Sequence, residues 1–284
     1  MKYCLSLLFS LFFIGLQAQK LEDALLWKIS GNGIKKPSYL YGTIHASCDT
    51  LLDQNVIEAM KKTEQLYLEI DVDDPKMESL MMANMNMKNG VTMESLVSAE
   101  DYKIVDDFLR DNAAISAKTI NTIKPSFVSI MFVQKILGCK PKSVEEALAE
   151  ISKSQNEAIY GLETVAEQMK VFDKISYQEQ MDELVRTAKN GIKTYEEDFN
   201  KLMQLYKDKK ISDLLNFTNE LGETASSKFD DEMLVKRNAK WIPIIADVAR
   251  FKPTFFGVGA AHLAGENGVI LLLRKQGFTV EAVK

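Results

Sequence analysis

The sequence predicts an α/β fold in which a single central mixed β-sheet carries large helical insertions. Three observations lead there. Short β-rich runs lie towards both ends of the chain, stretches with apolar residues three and four apart fill its middle, and no repeat or low-complexity linker divides the 284 residues. With 46% hydrophobic and 26% charged residues, the chain can bury one sizeable core.

The first 18 residues stand apart. A basic start at Lys2 precedes an apolar run from Leu5 to Leu16, and small Ala18 comes before the polar Gln19 to Asp23. This is the pattern of a secretory signal peptide cleaved after Ala18, which leaves residues 19–284 exported to a periplasmic or extracellular setting. The run is shorter than the roughly 20 residues that span a bilayer. Cys4 precedes it, so it does not read as a lipoprotein acylation site. No later segment is long and apolar enough to give the processed chain a stable transmembrane span.

The leader holds one of the 35 basic residues and none of the 40 acidic ones, so the processed chain is one unit more negative than the formal −5. Such a balance argues against nucleic acid as a partner. Oligomeric state has no signature here.

The strand candidates are Leu25 to Ile29, Tyr39 to Ile44, Gln65 to Ile70, Ala158 to Leu162, Thr254 to Val258 and Phe278 to Val283. Asp53 to Lys62 is helical between the second and third, and Val269 to Lys275 runs to Gly277, a fitting residue just past a helix end. Between Glu69 and Glu163, in an insertion at about residues 75–155, helices are predicted over 76–87, 98–110, 126–137 and 143–153. Between Glu163 and Thr254, in a second insertion at about residues 175–250, they are predicted over 177–189, 195–207, 211–220 and 230–248.

Six methionines, Met77, Met81, Met82, Met85, Met87 and Met93, crowd into the first insertion. Such a cluster can bind soft copper or line an adaptable peptide-binding surface, and it can equally be a helix packed loosely on the domain. The last reading is preferred, because methionine commonly serves as a gap-filler, and copper is a minor possibility because no histidine or cysteine sits among them. Cys48 and Cys139 are the two cysteines that remain after processing, and an even pair in an exported protein is expected to be bridged.

The chain has two histidines, and both end a Gly-x-x-His: Gly42-Thr43-Ile44-His45 and Gly259-Ala260-Ala261-His262. In each case a predicted strand runs into the motif, so the imidazole falls near the carboxyl end of a strand, the edge where open α/β sheets bind ligands. The glycine lets the backbone turn tightly or approach a neighbour closely. One such motif is a weak signal, since a histidine at a strand end commonly serves only as a hydrogen-bonded structural residue.

Two further strands run into a carboxylate, at Tyr67-Leu68-Glu69 and Gly161-Leu162-Glu163. If these strands neighbour the histidine-bearing ones, two imidazoles and two carboxylates share a crevice, which makes a ligand set for a divalent metal, an acid and base pair, or both. The plain structural alternatives are an edge residue beside Asp71, Asp73 and Asp74 for Glu69, and a helix N-terminal acid for Glu163. Arg237 and Asn238 complete the candidate site. An arginine there can stabilise an oxyanion or bind a substrate carboxylate, and the alternative is a solvated face with Lys236 and Lys240.

Leu26-Trp27-Lys28-Ile29, Tyr39 to His45, Tyr67-Leu68-Glu69, Lys124-Pro125, Gly161 to Thr164, Arg237-Asn238 and Gly259 to His262 together resemble, in identity and order, the TraB/GumN/PrgY family. The resemblance covers nearly all of the processed chain. That family is distantly similar to the Tiki metalloproteases, which share the paired Gly-x-x-His motifs, to erythromycin esterases and to haem-related ChaN proteins. It implies a metal-dependent hydrolase acting on a peptide or related small-molecule bond, with Mn2+, Co2+ or Zn2+ held by His45, His262 and Glu69 or Glu163. The other glutamate would serve as base, and Arg237 would stabilise the oxyanion. No HExxH helix or GxSxG elbow is present. A non-catalytic protein that sequesters a peptide or metalloporphyrin, or an esterase using His45 as base without metal, fits the same crevice.

Overall fold

The structure, a computed structural model, describes residues 21–50, 52–223 and 231–284. The predicted leader lies outside them. Among the described residues one mixed sheet holds six strands in the order β4-β3-β5-β2-β1-β6. These are β1 (Leu26–Ser30), β2 (Ser38–Thr43), β3 (Gln65–Leu68), β4 (Ala158–Gly161), β5 (Phe255–Gly259) and β6 (Thr279–Ala282). All six coincide with the predicted runs to within a few residues.

Burial follows position in the sheet. Every residue of β2 is buried, as is Phe255 to Val258 of β5, so the central strands read as unbroken apolar runs covered on both faces. The outer strands β4 and β6 expose alternate residues. The chain's first and last strands pair antiparallel, β1 with β2 and β1 with β6. In contrast β4, β3, β5 and β2 are mutually parallel. Those four carboxyl ends therefore open on one edge.

Trp27, Leu40, Leu66 and Phe255 are fully buried at the centre of the sheet core, and the helix Val144–Ser154 covers β3 and β4. The helices of the two insertions meet in a second apolar cluster around Val105, Leu109, Phe132 and Met181. Two helical predictions need correction, and one helix escaped prediction. The stretch 126–137 is not one helix: Pro125–Val128 and Val133–Leu137 flank a 3-10 turn at Ser129–Phe132, which buries Val128 and Phe132 in the second cluster while leaving Ile130 exposed. Val165–Phe172 is a helix that was not predicted, although Thr164 and Glu167 form a capping box at its start. Of the stretch 230–248, Asp230 lies outside the described residues, Asp231–Val235 is π-helical and the α-helix is Lys236–Phe251.

Candidate functional site at the carboxyl edge of the parallel strands

Each parallel strand delivers one candidate residue to the common edge. Glu163 follows β4 by two positions, Glu69 directly follows β3, His262 ends a 3-10 turn after β5, and His45 follows β2 by two positions. The helix Lys236–Phe251 lays Arg237 and Asn238, both buried, across this row. The π-helical turn ahead of it, a feature that often marks functional sites, turns the Met233 carbonyl to accept from Arg237 Nη1 at 2.9 Å.

The two motif glycines are needed for close approach. A Cβ on Gly42 would lie 2.8 Å from the Leu263 side chain and 3.2 Å from the Ala260 Cα, so glycine lets β2 press against the turn that bears His262. A Cβ on Gly259 would stand 3.2 Å from Glu69 Oε1, 3.6 Å from His262 Cδ2 and 3.9 Å from His45 Nε2. Glycine there leaves a cradle around which both imidazoles and one carboxylate gather.

Both rings are held at Nδ1. His262 Nδ1 is 2.6 Å from Asn238 Oδ1, and the Asn238 amide nitrogen donates to the carbonyls of Asn267 at 2.8 Å and His262 at 3.3 Å. His45 Nδ1 is 2.8 Å from Glu145 Oε1, while hydroxyls of Thr43 and Ser143 donate to the same carboxylate. Fixing Nδ1 turns each Nε2 towards the site, the arrangement seen around metal-ligating histidines. Trp241 lies against the His262 ring at 4.6 Å between centroids.

Arg237 is the cationic partner of both glutamates. Its Nη2 donates to Glu69 Oε2 at 2.5 Å and Glu163 Oε1 at 2.8 Å, its Nε donates to Glu163 Oε1 at 3.0 Å, and its Nη1 is 3.2 Å from His262 Nε2. Glu69 also accepts from the Gly259 N–H at 2.7 Å and from Gln168 at 3.1 Å.

Charge states follow from this packing. Burial foremost, with Arg237 and His45 adding to it, drives the His262 pKa down to about 3 against the pull of Glu69, so the ring is neutral. Burial also opposes the Glu69 charge, yet His262, Arg237, His45 and the Gly259 N–H outweigh it and bring the pKa to about 2. With His262 neutral near pH 7, the Arg237 guanidinium is the weightier of these partners there. Burial raises Glu163 despite Arg237. Although 70% of the His45 side chain is exposed, the surrounding protein opposes its charge; the Glu145 hydrogen bond and the charges of Glu145 and Glu69 overcome that and raise it to about 9.

Two cavities share His45, Glu69, Met233 and Arg237 as a common wall. The smaller, about 240 Å³, also touches His262 and is closed by Leu202, Tyr206 and Leu214. The larger is about 360 Å³. Glu163 and Asn238 line neither.

Among the described residues no three His, Cys, Asp or Glu side chains are grouped closely enough to hold an ion as they stand. The donor chemistry nonetheless suits a divalent cation: His45 Nε2, Glu69 Oε1 and the Cδ2 edge of the His262 ring border the Gly259 cradle, and His262 Nε2 lies 3.6 Å from Glu69 Oε1. Sequence reasoning missed Glu145, Thr43 and Gln168. A usable signal lay in Ser143-Val144-Glu145-Glu146, where Ser143 caps the helix through the Glu146 N–H and leaves the neighbouring acid to turn inward.

The profile of the TraB/PrgY/gumN family matches residues 25–282, a span that contains every residue of this cluster. The chain belongs to that family. As a family member it is also similar to Metalloprotease TIKI2 of Xenopus tropicalis, 21% identical over 93% of this chain and 61% of that protein. Metalloprotease TIKI1 of Danio rerio is 22% identical over 91% of this chain and 63% of its own length, and Metalloprotease TIKI homolog of Amphimedon queenslandica 22% over 91% and 61%. The chain thus spans less than two thirds of the length of these curated relatives. No solved structure matches.

Proposed function

We propose that this protein is an exported metal-dependent hydrolase that cleaves a peptide or related bond. The observation that carries the reading is the pair of Nδ1-anchored imidazoles that gather with Glu69 Oε1 at the Gly259 cradle, His45 through its Nε2 and His262 through its ring edge, with His262 Nε2 3.6 Å from Glu69 Oε1. The similarity to proteins named as metalloproteases supports it. His45, His262 and Glu69 would hold the ion, Mn2+, Co2+ or Zn2+. When bound, it would polarise the scissile carbonyl and lower the pKa of water.

The protein's own groups do the rest. Arg237 lines both cavities and stabilises negative charge developing on the carbonyl oxygen. Glu163, which lines neither cavity, acts as a positioning residue for that guanidinium. Asn238 and Glu145 hold the two rings in register. Export is supported by the leader pattern of residues 1–18 and by the joined Cys48 and Cys139. No helix among the described residues is long and apolar enough to cross a membrane.

The test is cleavage of a mixed peptide library, followed by mass spectrometry, with manganese, cobalt or zinc added to the purified protein. Metal-stimulated cleavage that disappears in both His45→Ala and His262→Ala, with folding retained, is expected. Equal turnover in either variant at saturating metal refutes the reading. Peptide binding without any cleavage would instead favour a sequestering protein.

A further inference from the structure

We infer that the larger cavity is a substrate subsite that receives a large, flexible apolar side chain, such as methionine, leucine or phenylalanine, next to the bond acted on. This rests on the hydrolase reading and names its substrate class.

The cavity of about 360 Å³ is in the size range of small-ligand sites, and its floor is the catalytic wall itself, His45, Glu69 and Arg237. Its sides are apolar: Phe127, Met169 and Phe172 form a small cluster apart from the main core. At its rim Ile130 is 59% exposed and Met81 36%, large apolar side chains held in water beside the site. A substrate with its carbonyl at Arg237 would place an adjacent side chain among them.

Apart from Nε2 of His45, the polar groups on the floor are already committed. Arg237 pairs with Glu69 and Glu163, Gln168 with Glu69, and Ser143 with Glu145. A cationic substrate side chain entering here would lose its hydration and find the Glu69 and Glu145 carboxylates already paired, whereas an apolar one gains by leaving water. Preference for an apolar residue over a cationic one follows.

The wall also accounts for part of the methionine cluster. The helix Met77–Asn84 buries none of its residues and packs on the helix Val165–Phe172, and Met81 turns into the cavity. Methionine is unbranched and soft, so a loosely seated methionine wall adapts to side chains of differing shape. Met87 and Met93, by contrast, are buried in the second helical cluster.

Calorimetry on the full-length protein, without added metal, would measure binding of blocked tripeptides acetyl-Ala-X-Ala-amide with X as methionine, leucine, phenylalanine, alanine or lysine. The first three are expected to bind about tenfold or more tightly than the last two. Ile130→Asp and Met81→Asp, whose exposed positions spare the fold, should abolish that discrimination, while Met82→Asp, exposed on the same helix but outside the cavity, should preserve it. Circular dichroism confirms that each variant is folded. Equal binding of all five peptides, or a preference that survives both rim variants, overturns the subsite. Selective binding without metal-stimulated cleavage keeps the subsite and rejects the hydrolase reading; cleavage without side-chain preference does the reverse.

Discussion

Asn238 Oδ1 lies 2.6 Å from Nδ1 of His262, and this contact decides which ring nitrogen faces the site. The Asn238 amide nitrogen is directed at two carbonyls, so its oxygen must accept, Nδ1 must carry the proton and Nε2 keeps its lone pair. Asn238→Ala removes that constraint from a residue that lines neither cavity. It should weaken manganese affinity by about 10–100-fold, with little change in secondary structure. Titration of metal into the variant checks this, and undiminished affinity would remove Asn238 from the machinery.

Metal binding should depend on pH through one ring. His262, with a pKa of about 3, is already neutral, while His45, raised to about 9, must give up a proton to become a ligand. Affinity should therefore fall about tenfold for each unit below pH 9, with one proton released from the two rings per ion. The raised value also means that the His45–Glu145 pair stabilises the fold fully below the ordinary histidine value of about 6.5, and that this contribution is lost as pH rises through 9. Calorimetry in buffers of different ionisation enthalpy counts the proton. A count of zero or two at pH 7.5 contradicts the assignment.

A buried lysine ties the first insertion to the region after β4. Lys124 is fully buried with its Nζ 2.7 Å from Asp173 Oδ1, and Lys88 pairs with the other oxygen at 2.5 Å. Although burial opposes the Asp173 charge, these two lysines hold its pKa below the usual aspartate value. The depressed pKa contributes stability present above about pH 3.9, lost as pH falls through the folded value. Asp173→Asn, which strands the lysine charge, should cost about 3–5 kcal/mol at pH 7, with the gap to the wild type shrinking below pH 3.9. Urea unfolding at both ends of that range reads the difference.

Cys48 and Cys139 are joined, with Cα atoms 5.8 Å apart across 91 positions of chain. Next to the bridge, Ser47 and Lys142 exchange two backbone hydrogen bonds of 2.9 Å, so the loop that follows His45 is clamped to the segment leading to Glu145. The chain-entropy account assigns such a closure about 4–5 kcal/mol, commonly reduced by residual structure in the unfolded chain. The Cys48→Ser, Cys139→Ser double variant should melt earlier and bind metal more weakly, because the clamp positions both His45 and its carboxylate partner. Unchanged metal affinity despite a lower Tm would confine the bridge to stability.

Much of the fold was legible because local signals agree with tertiary ones. Phe255 to Val258 reads as a central strand because both of its faces are covered, and the four strand-end residues were visible because each lies within three positions of the end of a β-rich run. Glu145 was not legible. An acid in the first turn after a serine cap looks like an ordinary helix start, and only the fold brings it to Thr43 and His45. The break at Ser129–Phe132 was hidden for a similar reason: burial of Phe132 in the second cluster overrides a helical periodicity. That Arg237 joins Glu69 and Glu163 could not be read either, since it depends on how the helix Lys236–Phe251 crosses the sheet edge.

The central claim is most directly tested by anomalous X-ray scattering from crystals of the full processed protein soaked in manganese, cobalt or zinc. One strong peak is expected beside the Gly259 cradle, within about 2–2.3 Å of Nε2 of both His45 and His262, together with its disappearance in His262→Ala. No peak between the imidazoles at saturating metal, or an ion bound elsewhere while the two rings stay in their present contacts, would contradict it.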